Sequence, residues 1–334
     1  MFRSAGLLAA ALCTCLLAGV LTGSTSLRAS GAASVEGEAA GRHPLDERVW
    51  SVADGAFVDP DAVRAAIAAA RFALLGEIHD NPRHHTLQAH LLAASVAAGR
   101  APAVVLEMLP RDLQPRVDAY LGGAGATADG FGAALGWRDL GWPDYAIYRP
   151  ILDVALAASL PVVAGDTPRD ERRGVARGGV GVLGKARRKA LQLDEPLGET
   201  ADTGLLDTLF EGHCGMMPRA GLMPLVGVQR LRDATLADAM VSAVENGADG
   251  AVLIAGAGHA RTDFGVPRYL RWRQPDATVV AVALVEVAEG ESDPATYVGG
   301  TAGVPAPYDY LWFTARKDRT NPCAELEKRF ENAR

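Results

Sequence analysis

The sequence predicts an α/β fold: a central, mostly parallel sheet covered by helices on both faces, with a helical insertion. Apolar runs of strand length alternate with amphipathic stretches of helix length. The runs are continuous rather than alternating, as in strands buried on both faces, and no sustained repeat of solenoid type is present. The chain has 334 residues, 49% hydrophobic and 22% charged, enough for one large domain or two ordinary ones. A formal net charge of -7 gives no support to general nucleic-acid binding.

Taken in order, Arg3 precedes an apolar run over 7–21, and small residues extend through Ser34. This is the layout of a secretory signal peptide, placed at 1–29, with cleavage between about Gly23 and Ala33. A linker rich in Ala, Gly, Ser and Glu follows at 30–48. The protein is therefore read as exported, to the periplasm or cell envelope. The apolar run is short for a membrane span, and Thr14 is a poor residue before a lipidated Cys15. Membrane association would come only through export or an uncleaved or lipidated N-terminus.

The α/β domain is placed at 49–315. Asp59-Pro60-Asp61 caps a helix running to Arg71, and a strand at 72–76 follows. Asn81-Pro82 caps a second helix to about Ala98, with Leu87, Leu91 and Leu92 on its apolar face. A strand at 103–109 precedes two short helices around a Gly-rich loop over 111–145, a helix at 147–159 and a strand at 161–165. Residues 170–245 read as mostly helical with a flexible polar portion near 177–204, and the insertion falls within 111–245. Strands at 251–255 and 278–287 flank a helix at 267–273; an edge strand at 308–314 and a C-terminal helix within 316–334 complete the order. The basic run Lys185-Ala186-Arg187-Arg188-Lys189 reads as a solvated helix face in preference to an anion contact. Cys13 and Cys15 would leave with the leader; Cys214 and Cys323 remain, either as one disulfide or as two separate thiols.

One short motif occurs twice. Gly76-Glu77-Ile78-His79 and Gly256-Ala257-Gly258-His259 each close an apolar run. A buried strand ending this way delivers an imidazole to the edge of a sheet, where ligands of open α/β folds sit, and glycine permits a turn or close approach there. Glu77 and His79 point to the same side by the two-residue period of a strand. The other strand ends add Glu107, Asp166, and Arg261 after His259. Such a set suits a divalent transition metal such as Zn, Mn or Co, or Fe, with Glu77, His79, Glu107 and His259 as ligands. It equally suits metal-free acid/base catalysis by a Glu–His pair acting on water. There is no HExxH and no clustered Cys/His set.

On the helix after the first motif, Arg83 and His85 are placed to meet an anionic group, and His90 faces solvent. His213, beside Cys214 and Met216-Met217, is either a helix-end residue or a soft ligand, the former being the plainer reading. The segment from Trp142 to Pro150 offers a wall for a flat apolar ligand, with Tyr145 or Tyr148 available to ferric iron; a ring-anchored loop is the plainer reading.

Gly76-Glu77-Ile78-His79-Asp80-Asn81, Val105-Leu106-Glu107-Met108 and Gly256-Ala257-Gly258-His259-Ala260-Arg261 with Gly265-Val266-Pro267 together resemble the ChaN family of haem-binding, iron-regulated exported proteins. The GxxH pair also resembles the wider superfamily of Tiki proteases, TraB-like proteins and erythromycin esterases. The resemblance spans roughly residues 45–315. It implies an α/β fold with helical insertions, export, and haem held at a homodimer interface by a tyrosine, with basic or His side chains at the propionates. Tyr145 or Tyr148 would be that ligand, with His85, Arg83 and Arg261 as the accompanying side chains. Two functions follow: a non-enzymatic haem-uptake or storage protein, and a metal- or Glu/His-dependent hydrolase. A purely structural role for the polar strand ends is the third.

Overall fold

The computed structural model describes residues 42–299, 306–319 and 323–324. The expected signal peptide, the linker up to residue 41 and most of the expected C-terminal helix lie outside the described residues. The chain divides into units at Met1–Arg42 and His43–Arg334, and everything below concerns the second.

In chain order the strands are β1 (Val49–Ser51), β2 (Ala56–Val58), β3 (Phe72–Glu77), β4 (Ala103–Pro110), β5 (Val162–Asp166), β6 (Ala251–Gly256), β7 (Val279–Glu286) and β8 (Tyr310–Thr314). The helices are α1 (Pro60–Ala69), α2 (Pro82–Ala97), α3 (Gln114–Leu121), α4 (Ala128–Leu135), α5 (Trp137–Leu140), α6 (Tyr145–Ala157), α7 (Arg169–Gly178), α8 (Lys185–Ala190), α9 (Glu199–Gly212), α10 (Arg219–Glu245), α11 (Ala257–Ala260) and α12 (Val266–Arg273). All eight strands form one sheet in the order β2-β1-β8-β7-β3-β6-β4-β5. Every pairing from β8 to β5 is parallel, and β1 joins β8 and β2 antiparallel. The sheet is thus mostly parallel, with helices on both faces.

The continuous apolar runs are explained by burial on both sides. Phe72 and Leu74 pack into one core with Leu231, Ala234 and Met240 of α10 and Leu270 of α12. Their neighbours Ala73 and Leu75 pack into the other, with Val63 of α1, Leu91 of α2 and Ile151 of α6. The expected caps form: Asp59 accepts from Asp61 N–H at 2.8 Å and Asn81 from Arg83 N–H at 2.9 Å.

Several expectations are corrected in detail. β1 and β2 went unread because strands of three residues leave no periodic signal. Helix α6 begins at Tyr145 rather than 147 because Asp144 caps it, accepting from Ala146 N–H at 3.0 Å. The stretch 111–145 holds α3, α4 and α5 rather than two helices; Gly136 and Gly141, at φ of 68° and 84°, end α4 and α5. The segment near 177–204 is pinned by the buried Leu183, Leu191, Leu193 and Leu197. In the basic run, Arg187 pairs with Glu171 at 3.1 Å and Arg188 with Asp194 at 2.8 Å. Cys214 and Cys323 are joined as a disulfide, with Cα atoms 5.6 Å apart.

Candidate functional site

β6, the last of its group in sequence, lies between β3 and β4. Its end therefore places His259 between the residues that β3 and β4 deliver. The two motif glycines make this approach possible in a reciprocal way. A Cβ on Gly76 would lie 2.8 Å from Ala257 Cα, so this glycine lets α11, which carries His259, settle on β3. A Cβ on Gly256 would lie 2.9 Å from His79 Nε2, so the second glycine leaves room for the imidazole of the first motif.

Glu77 and His79 meet as the strand period requires, Oε1 to Nδ1 at 2.9 Å. The other Glu77 oxygen lies 2.6 Å from His85 Nδ1. His85 Nε2 and the Tyr148 hydroxyl both donate to the His79 carbonyl, each at 3.0 Å. Burial pushes Glu77 up, but its bonds to His79 and His85 outweigh this and hold it below the ordinary carboxylate value. Burial pulls His79 down, and its bond to Glu77 with the charges of Glu107 and Glu77 more than offsets it, so the imidazole is raised.

Around β4 the pairing with β6 ends at Leu106, and the Glu107 carboxylate beyond it accepts Gly256 N–H at 2.7 Å. Its other oxygen faces Arg232 Nη2 at 2.6 Å and His259 Nε2 at 3.2 Å. On the far side of the ring, His259 Nδ1 lies 2.5 Å from Asp233 Oδ1 and 3.0 Å from the Gln229 amide. Arg232 continues the chain to Asp166, Nε to Oδ1 at 3.0 Å, and Arg172 reaches Asp166 from the rim at 3.0 Å. Burial lowers His259, but Glu107 and Asp233 on either side raise it to about 9. Glu107 is held well below the usual carboxylate range: burial raises it, and His259 and Arg232 overcome that.

The structure therefore unites Glu77, His79, Glu107, Asp166 and His259, and it adds Gln229, Arg232 and Asp233 from α10, which sequence reasoning missed. Their signal was available: 229, 232 and 233 share a helix face by the three-to-four-residue spacing, and Asp233 lies beside Leu231, Ala234 and Leu236, all buried. Other expectations are redirected. Arg83 is taken by Glu47 at 2.6 and 2.7 Å, His85 is fully buried against Glu77, and Arg261 makes a double contact with Asp263 at 2.7 and 3.1 Å, so none of the three faces an open anion site. His84 accepts from Ile78 N–H at 2.9 Å and faces Thr314 Oγ1 at 2.9 Å, and burial lowers it to about 4. His90 is exposed as expected, and His213 ends α9 with Nδ1 on the Leu209 carbonyl at 2.7 Å. Among the described residues no group of three or more His, Cys, Asp or Glu is arranged to hold a metal ion. The oxygens of Glu77 and Glu107 are each taken by protein donors or imidazoles.

His79 is the cluster's contact with solvent. Its side chain is 36% exposed, against 0% for Glu77 and 6% for His259. Its ring stands edge-on to Trp142 at 4.8 Å. Trp142, held by its Nε1–H on the Met108 carbonyl at 2.9 Å, walls two adjoining clefts. One, of about 740 Å³, is lined by Trp137, Trp142, Pro143 and Tyr145; the other, of about 370 Å³, by Met108, Leu140, Trp142 and the Asp166–Arg172 pair. Tyr145 lines the larger cleft, its ring laid over Gly132, where a Cβ would lie 2.4 Å away, and its hydroxyl donating to the Ala128 carbonyl at 2.5 Å. Tyr148 is buried beneath His79 and His85, and burial raises its hydroxyl above the ordinary phenol value.

Gly256→Ala is expected to push the His79 ring away from Glu77, costing about 1–3 kcal/mol through overpacking. Nuclear magnetic resonance titration of His79 checks it: the raised pKa should fall toward the ordinary value. An unchanged titration would mean that the glycine is not there for the ring.

The sequence profile of the family described as "Haem-binding uptake, Tiki superfamily, ChaN" matches residues 63–270. No curated protein matches the chain in sequence. Among solved structures, "Cofacial heme binding to ChaN of Campylobacter jejuni" superposes with a TM-score of 0.62 at 20% identity, over 80% of this chain and 96% of that one. The type III effector HopBA1 aligns at 13% identity and a TM-score of 0.45, over 82% of this chain and 98% of its own. An erythromycin esterase, EreC, aligns at 15% identity and a TM-score of 0.35, over 82% of each chain. The first of these supports the fold, and the profile spans more than half of the sequence: the chain belongs to the haem-binding ChaN family of the Tiki superfamily.

Proposed function

We propose that this protein is an exported haem-binding protein for haem or iron uptake or handling, and that haem lies in the aromatic cleft walled by Trp137, Trp142 and Tyr145. The cleft carries the reading. Its volume of about 740 Å³ lies within the range of small-molecule sites, and flat aromatic walls suit a flat apolar ring. Of the two tyrosines expected as iron ligands, Tyr145 lines this cleft and Tyr148 is buried away from it. Bound haem supplies a ferric iron with an open axial position for a phenolate. Tyr145 is the donor in this reading, and its hydroxyl must leave the Ala128 carbonyl to serve. The Cys214–Cys323 disulfide supports export, since such bonds persist in oxidising compartments.

A haemin titration followed by the visible spectrum and sedimentation tests this. Wild-type protein should bind saturably with a tyrosinate charge-transfer band, and pair into the homodimer that the resemblance implies. Tyr145→Phe should lose the band and Tyr148→Phe keep it. Absence of saturable binding by wild-type protein would remove the haem reading. One observation favours the alternative of a Glu/His-dependent hydrolase: a carboxylate-oriented imidazole chain, Asp233–His259–Glu107, lies directly behind the partly exposed His79.

A further inference from the structure

The tail beyond β8 lies across the ends of the strands that carry the site. Lys317 N–H donates to Glu286 Oε1 at 3.2 Å, at the end of β7. Arg319 grips the same carboxylate, Nη1 to Oε2 at 2.7 Å, and also Asp80, Nε to Oδ2 at 3.0 Å. Lys317 Nζ reaches Asp80 Oδ2 at 3.3 Å. Asp80 directly follows His79, and Asn81 donates to Glu286 Oε1 at 2.7 Å. The tail therefore fixes the loop that orients His79. Further along, Cys323 is bonded to Cys214 in the turn between α9 and α10. That turn leads into the helix holding Gln229, Arg232 and Asp233 around His259.

We propose that the Cys214–Cys323 disulfide is a redox lock on this tail, tying the His79 half of the site to the His259 half. The proposal is independent of what the site binds. The ion pairs alone are a weak fastening: Asp80 is 34% exposed and Lys317 39%, and partly exposed pairs contribute little against the freedom of a chain end. The covalent bond keeps the tail near Asp80 and Glu286, so that the pairs form at high effective concentration. Both cysteines are half-buried and within reach of a small reductant. A dithiol attacks one sulfur and the S–S bond breaks. The reductant closes to its own disulfide, and its two electrons and two protons leave Cys214 and Cys323 as thiols.

Hydrogen exchange of the full chain, before and after reduction with dithiothreitol and in C214S/C323S, tests the lock. Protection should fall roughly tenfold or more in 315–319 and in 78–84, beyond any change in β4 and β6. Arg319→Gln, with the disulfide intact, should loosen 78–84 in the same way. A loss confined to the tail, a loss spread equally through β4 and β6, or an Arg319→Gln protein with 78–84 still protected would each overturn the proposal.

Discussion

Arg232→Met is expected to cost about 3–5 kcal/mol of folding stability at neutral pH, because it strands two buried carboxylates at once. Arg232 is 16% exposed, and Glu107 and Asp166 are each 1% exposed. The guanidinium spans them, with Nη2 2.6 Å from Glu107 and 2.9 Å from Asp166. Partial replacements exist. Glu107 keeps Gly256 N–H at 2.7 Å, and Asp166 keeps Thr167 N–H at 2.7 Å and Arg172 at 3.0 Å. These place the cost toward the lower end. Arg172→Ala, which removes only the rim contact, should cost about 1 kcal/mol or less. The two variants thus separate an interior bridge from a rim pair on the same carboxylate. Urea unfolding gives the comparison, and repeating it near pH 5 adds a second reading. Carboxylates freed of Arg232 take up protons more readily, so the gap between Arg232→Met and wild type should narrow with acid. A midpoint equal to wild type at pH 7, or a gap indifferent to pH, would show that the bridge does not hold the site together.

The parts of this site legible in the sequence are those set by local geometry. The two GxxH endings named His79 and His259, the strand period placed Glu77 beside His79, and the strand-end rule pointed to Glu107 and Asp166. What was not legible depends on topology. Nothing in the sequence places β6 between β3 and β4, so the contact of His259 with Glu107 had no local signal. Arg232 and Asp233 sit on α10, 27 residues long, where charged residues read by default as a solvated face; here that face lies under the sheet edge. Arg83 and His85 were assigned to an anion because helix N-termini attract one. Their actual partners are Glu47, 36 residues upstream, and Glu77, in the preceding strand. The disulfide could be counted from sequence but not placed, since 109 residues separate its ends.

Two buried histidines with opposite shifts should give the protein a stability maximum near pH 6.5. Burial lowers His84 from 6.5 to about 4; there its ring accepts Ile78 N–H and faces Thr314 with no counter-charge in contact. In the unfolded chain it returns to the ordinary value. Between about pH 6.5 and 4 the unfolded state binds a proton that the folded state refuses, so the His84 contribution, intact above 6.5, is lost as pH falls. His259 behaves in the reverse sense. It is raised from 6.5 to about 9 between Glu107 and Asp233, so its contribution is intact below 6.5 and is lost as pH rises toward 9. Each limb amounts to roughly 3 kcal/mol, taking 1.36 kcal/mol per unit as the conversion. The lowered carboxylates, Glu107 foremost, add to the acid limb only below about pH 4.5, their ordinary value. Urea midpoints from pH 4.5 to 9.5 should therefore trace a dome. His84→Gln should flatten the acid side between 6.5 and 4.5, and His259→Gln the alkaline side, each at a cost in height. If the alkaline limb survived in His259→Gln, the proton held between Glu107 and Asp233 would not be the one that sets the stability of the site.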